Sequence, residues 1–274
     1  MKKNTKQIAT ETLKIIQDGY YYIEDNKIDV SDLIAKSREG AFTIAPNGWA
    51  DFLSNTEEVK FETEIEFKNC STIEAIADES KELKIAALNF ASAKNPGGGF
   101  IGGASAQEES LARSSSLYHS LIKDKTMYDY NKGNSTFLYS DYVIYSPEVV
   151  FWYKDNGDSF DEPLICDVIT SPAPNKGAMI QHNRMKEMEQ IESVFKERMV
   201  KVIGLAAHQK VESLILGAWG CGVFRNETDV VARLFKEVIS EKYPRNFKRI
   251  VFAIFDQSAK KDNFNKFKEV FEAK

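Results

Sequence analysis

The stretch from Leu88 to Leu111 constrains this chain more than any other. It opens on a mostly apolar run ending at Phe90 and enters a loop crowded with Gly97, Gly98, Gly99, Gly102 and Gly103. It leaves through Gln107-Glu108-Glu109, at the start of a helix-like pattern. Glycine loses more backbone freedom on folding than any other residue, so such a cluster implies a tight bend or a close approach. The N–H groups of a glycine-rich loop ahead of a helix also form a nest for phosphate oxygens. A strand, an anion loop and two acids thus follow one another. A tight turn without a ligand is the competing reading of the glycines.

The spacing excludes two common nucleotide loops. No GxxxxGKS/T pattern is present, and GxGxxG is not matched. A second loop, Gly217-Ala218-Trp219-Gly220-Cys221-Gly222-Val223-Phe224, also lies between an apolar strand and a helix. In open α/β sheets ligands bind beyond the C-terminal strand ends. Two loops placed there can clamp one diphosphate from both sides, with Phe224 against a base or ribose. Taken singly, Phe224 and Trp219 read as core aromatics; the two loops together favour the ligand. Cys221 has no assignable partner and reads as a small residue fitting close backbone. Thr170-Ser171-Pro172-Ala173-Pro174-Asn175 is either a rim of the same cleft or a rigid connector.

The pair Glu108-Glu109 also has two readings. Acids favour a helix's first turn because they complement its dipole. The same dipole opposes work as a general acid, unless burial or a nearby diphosphate raises the pKa again. Adjacent helical side chains point about 100° apart, so one of the two faces a scissile bond and the other holds a neighbouring group. His119, His182 and His208 are scattered and read as structural or surface residues.

Along the chain, a helix is expected over Thr5–Asp18, stopped by Gly19, then a hairpin over Tyr20–Val30 and a short helix from Ser31 to about Ser37. From Val59 strands and helices alternate. Strands are expected at Val59–Phe67, Leu83–Phe90, Phe137–Tyr145, Val149–Tyr153, Leu164–Thr170, Val211–Leu216 and Ile250–Phe255. Helices are expected at Thr72–Asp78, Ala106–Ile122, Ile180–Ala207, Val230–Ser240 and Asn263–Phe271. This alternation predicts an α/β sandwich with a mixed sheet. Residues 1–55 form an expected accessory segment packed on a main domain of residues 56–274.

The 274 residues are 43% hydrophobic, enough for one large domain with such a segment. A net charge of −5 with mixed signs argues against direct nucleic-acid binding. Cys70, Cys166 and Cys221 form no CxxC pair, so no metal site is expected, and their odd number suggests a cytoplasmic setting. No apolar run approaches the ~20 residues of a membrane span. A monomer is expected.

Gly97-Gly98-Gly99 followed by Gln107-Glu108-Glu109 resembles the signature of poly(ADP-ribose) glycohydrolases. The full run Leu88–Phe100, with Ile169–Asn175 and Gly217–Phe224, is similar to the microbial-type branch. The likeness spans about Val59 to Phe255. It implies a macrodomain-like three-layer sandwich with an N-terminal helical extension, binding ADP-ribose in a cleft. It implies that Glu109 is the catalytic acid and that Glu108 holds ribose hydroxyls. Gly97, Gly98 and Gly99 would line the terminal ribose and diphosphate, Gln107 would help place the loop, and Asn95 and Gln107 would also lie at the ligand. Gly217, Ala218, Gly220, Cys221, Gly222 and Val223 would bind the diphosphate, with Phe224 on the adenosine side. Ser92 stands where related macrodomains frequently carry Asn. No cofactor is implied, and the partner is an ADP-ribose polymer or an ADP-ribosylated macromolecule. Removal of single ADP-ribose units and non-catalytic ADP-ribose reading are the rival functions.

Overall fold

The computed structural model describes residues 4–54, 61–80 and 83–273. Helix α1 (Thr5–Asp18) starts with a capping box between Asn4 and Gln7 and stops at Gly19 in the left-handed conformation, as its sequence requires. A hairpin of β1 (Tyr20–Ile23) and β2 (Asn26–Asp29) follows, with its turn at Glu24-Asp25. Then come α2 (Ser31–Gly40), β3 (Phe42–Ile44) and α3 (Trp49–Ser54). Ser31 does not cap α2 with its side chain; instead the Asp29 carboxylate accepts from its N–H and its hydroxyl.

The alternating half begins with β4 (Glu64–Lys68), α4 (Thr72–Glu79) and β5 (Ile85–Phe90). Val59 and Lys60, expected to open the first strand, lie outside the described residues, as does the expected boundary at residues 55 and 56. After a short 3-10 turn come α5 (Gln107–Ser114), α6 (Leu117–Leu121) and α7 (Thr126–Gly133). The helix expected over Ala106–Ile122 is broken because Ser115 is extended and bridges Phe151, while the Ser116 hydroxyl accepts from the Val150 N–H. Strand β6 (Val143–Tyr153) joins the two expected aromatic strands through a bulge at Ser146 to Val149, and β7 (Ser159–Ser171) returns beside it. Residues 137–142, expected as strand, are irregular.

Three helices, α8 (Lys176–Gln181), α9 (Met185–Met188) and α10 (Ile191–His208), replace the single one expected at Ile180–Ala207. The break falls at Asn183, whose φ of 53° no helix continues through. Then follow β8 (Ser213–Leu216), α11 (Thr228–Lys242), β9 (Arg249–Ala253) and α12 (Asp262–Glu272).

Seven strands form one mixed sheet in the order β3-β6-β7-β5-β8-β9-β4. β7, β5, β8, β9 and β4 run parallel, while β6 is antiparallel to both β7 and β3. Side chains of β5 alternate between two cores, as the pleat demands. Ala86 and Leu88 meet Phe195, Met199, Phe235 and Phe267 on one face. Ile85 and Ala87 meet Ile76, Leu111, Leu121 and Tyr128 on the other. A central strand covered on both sides is apolar but for Asn89, which is why its sequence shows no polar alternation. A smaller core of Ile8, Ile15, Tyr21 and Ile34 against Val150 and Trp152 seats the N-terminal elements. Within those elements β3 adds to the edge of the main sheet, so Phe42–Ile44 share backbone hydrogen bonds with β6.

Candidate active site

The start of α5, the end of β5 and the start of α4 are held together by Gln107. Its Oε1 accepts from the Phe90 N–H at 2.9 Å, and its Nε2 donates to the Leu88 carbonyl at 2.8 Å and to Thr72 Oγ1 at 3.1 Å. This clamp fixes the rotation of α5 about its axis. Glu108 then points inward and is 3% exposed. Its Oε2 accepts from the Ser92 N–H at 2.6 Å and its Oε1 from Asn89 Nδ2 at 3.3 Å. Glu109, the next residue round the helix, is half-buried at the cavity, with Oε1 accepting from the Gly99 N–H at 3.0 Å.

Gly98 lies between the two acids. A Cβ there would stand 2.2 Å from Glu109 Oε1 and 3.1 Å from Glu108 Oε2, and its φ is +58°. Only glycine meets both conditions.

Burial without a cation pushes the Glu108 carboxyl up to about 8, with Glu109 adding to the rise and the Ser92 N–H and Asn89 amide opposing it. The folded pKa is raised, so the unfolded chain gives up this proton first. The stability it contributes is complete below pH 4.5 and is lost as pH rises toward about 8. That contribution is on the order of 5 kcal/mol. Glu108→Gln should abolish it, so thermal melts of wild type should fall relative to the variant between pH 5 and 8. Parallel melting curves would contradict the burial argument.

A cavity of about 780 Å³ opens beyond the strand ends. Asn95, Gln107, Glu108 and Glu109 line it from the first loop and α5. Ala218, Gly220, Cys221, Gly222, Val223 and Phe224 line it from the second. Gly97, Gly98, Gly99 and Gly217 are not among its lining residues; Gly97 and Gly217 are buried, Gly98 is half-buried and Gly99 exposed. A Cβ on Gly217 would stand 2.5 Å from the Ala253 carbonyl oxygen, so it allows two strand ends to approach.

Gly220, at φ +75°, packs against Ala173 and Asn226, and Asn226 Nδ2 donates to the Gly220 and Pro174 carbonyls. The third loop is therefore a rim, with Ala173 in the cavity wall. Trp219 is wholly buried and donates to the Ser171 carbonyl at 3.2 Å, a core residue. Val223 is 80% exposed. Phe224 is half-buried, its ring 6.0 Å from that of Tyr139. Burial pushes the Cys221 thiol up to about 12, so it is no thiolate nucleophile. No histidine lines the cavity.

Two contributors were not foreseen. Asn89 orients Glu108, and its signal was a polar residue in the apolar run Ile85–Phe90. Tyr139 reaches the cavity from an irregular segment, with no local signal.

The family described as "Microbial-type PARG, catalytic domain" matches residues 9–154. The chain belongs to the microbial-type poly(ADP-ribose) glycohydrolases. The crystal structure of the Thermomonospora curvata poly(ADP-ribose) glycohydrolase is 35% identical, with 97% of this chain and 99% of that one covered and a TM-score of 0.91. The same enzyme bound to the inhibitor ADP-HPD is 34% identical over 97% and 98% of the two chains, with a TM-score of 0.87. The Deinococcus radiodurans enzyme, in complex with ADP-ribose, is 38% identical over 87% of this chain and 97% of that one, with a TM-score of 0.83. Among curated proteins none matches. The chain is thus a glycosidase acting on poly(ADP-ribose), with the macrodomain-like fold its motifs implied. The family match includes the glycine loop and both acids of this glycohydrolase, while the second loop falls within the structural overlap. Among the described residues no group of three or more His, Cys, Asp and Glu could hold a metal ion, and no helix is long and apolar enough to cross a membrane.

Proposed function

We propose that Glu109 is the acid that breaks the ribose–ribose bond, with Glu108 as its positioning partner. The observation that carries this is the difference between adjacent acids: Glu108 is locked inward by two donors, while Glu109 faces the cavity on the Gly99 N–H. ADP-ribose lies with its diphosphate between the two loops, its distal ribose over Glu108 and Glu109, and its adenosine side toward Phe224. Burial without a cation keeps the Glu108 carboxyl protonated beside Glu109, so no second full charge competes at the site. A bound diphosphate excludes water and adds negative charge, both of which favour the neutral form of a neighbouring carboxyl.

Glu109 delivers a proton to the leaving ribose oxygen as the glycosidic C–O bond breaks. The oxocarbenium ion is stabilised by the adjacent diphosphate. Glu109, now ionised, takes a proton from the water that attacks the anomeric carbon.

Residues 1–55 serve as an accessory segment that buttresses the catalytic loop. Thr5 Oγ1 donates to the Gly103 carbonyl at 2.9 Å, and the Thr12 hydroxyl donates to that of Arg113 on α5. The net charge of −5 supports action without direct nucleic-acid contact, and the three free cysteines suit a cytoplasmic monomer.

The test is incubation with automodified, polymer-bearing acceptor protein and analysis of the products. Wild type should release free ADP-ribose; release only of single acceptor-linked units would favour mono-ADP-ribosyl hydrolysis instead.

A further inference from the structure

Arg198 is the one arginine of this molecule that is 0% exposed, in the middle of α10. Burying a guanidinium is costly, and packing alone would be served by an apolar side chain of its size. What it bonds explains its presence. Nε and Nη2 donate to Asp141 Oδ1 at 3.0 and 2.9 Å. Nη1 donates to the carbonyls of Leu138 at 3.1 Å and Pro172 at 2.8 Å, and Nη2 to that of Tyr139 at 3.4 Å. Lys201 pairs with the other Asp141 oxygen. One planar fork therefore ties the segment before β6 to the loop after β7, from behind the cavity wall.

Both tied segments contribute to the cavity: Tyr139 from the first and Ala173 from the second. Tyr139 is held in a left-handed backbone conformation, φ 58°, that a bulky residue does not adopt unaided. Its hydroxyl accepts from Asn175 Nδ2 at 3.2 Å, and its ring lies 6.0 Å from that of Phe224. The left-handed turn directs the ring into the cavity, and the fork on its carbonyl and on that of Leu138 holds the turn.

We propose that Arg198 is a positioning residue for substrate: through the carbonyls of residues 138, 139 and 172 it sets Tyr139 beside Phe224 as a second aromatic wall for the nucleoside end of the ligand. It touches neither substrate nor the acids, so it governs affinity rather than the chemical step. The inference rests on the ADP-ribose reading above.

The test is a double-mutant cycle of ADP-ribose affinity by calorimetry with Arg198→Lys, Tyr139→Ala and the pair, alongside kcat on saturating polymer. Lysine keeps the charge and loses the fork. Each single change should weaken binding about tenfold, the expected loss of one aromatic stacking wall. The double change should weaken it no further than the worse single one, because both act through one ring. The kcat at saturation should stay within about twofold, whereas general unfolding would lower it in step with melting temperature. A folded Arg198→Lys enzyme with unaltered affinity, or additive losses, overturns the inference while leaving the role of Glu109 intact. Wild type that fails to bind ADP-ribose overturns both. Should Arg198→Lys not fold, Asp141→Asn releases the fork from its carboxylate and is read the same way.

Discussion

Glu109→Gln should lower turnover on poly(ADP-ribose) by about 10²–10⁴-fold, the range that a positioned general acid contributes. Its affinity for ADP-ribose should stay near wild type. The amide oxygen can still accept from the Gly99 N–H, so the loop keeps its anchor, and the isosteric side chain leaves the cavity shape unchanged. What is lost is the proton that the leaving ribose oxygen needs and the base that the attacking water needs. Initial rates of ADP-ribose release measure the first effect and calorimetry the second. Turnover at the wild-type rate would remove Glu109 from the mechanism. A parallel loss of affinity would make it a binding group instead.

Gly98→Ala should be nearly as damaging, although it changes no chemical group. The new Cβ would stand 2.2 Å from Glu109 Oε1 and 2.8 Å from its Cδ, so the carboxyl must move. The backbone at φ +58° gives the alanine no relaxed alternative, at a cost of about 1–2 kcal/mol. A displacement of about 1 Å at a reacting group costs on the order of 10²-fold in rate. Turnover should therefore fall about a hundredfold while melting shifts by only a few degrees. Gly102→Ala is the control: a Cβ there meets nothing within 4 Å, and turnover should hold within about twofold. Equal effects from the two substitutions would mean that the loop's flexibility matters, not the space beside Glu109.

The N-terminal helix, the buried central strand and the strand–loop–helix around the glycines were all legible in the sequence. Their signals are local: a cap, a period, a cluster. The breaks were not legible. Ser115 leaves the helical path because it bridges Phe151, and residues 137–142 fail to form strand although they are aromatic-rich. Arg198 competes there for the carbonyls of Leu138 and Tyr139 from sixty residues away. Where distant partners take the backbone hydrogen bonds, local propensity loses.

For the site, the sequence by itself determined the chemistry available: two adjacent acids at a helix start, after a loop that only small backbone can form. It also determined that they must diverge, because neighbouring helical positions point about 100° apart. Helix geometry alone could not choose between them; only the family resemblance of the motif assigned the acid's role to Glu109. Only the tertiary structure decided that Glu108 is buried and Glu109 faces the cavity, since the choice rests on the rotation of α5. Gln107 sets that rotation by bonding Phe90, Leu88 and Thr72, and Asn89 and the Ser92 N–H hold Glu108 where it then points. Those partners lie on three separate elements, and their positions are set by how the whole sheet packs rather than by any residue near the acids.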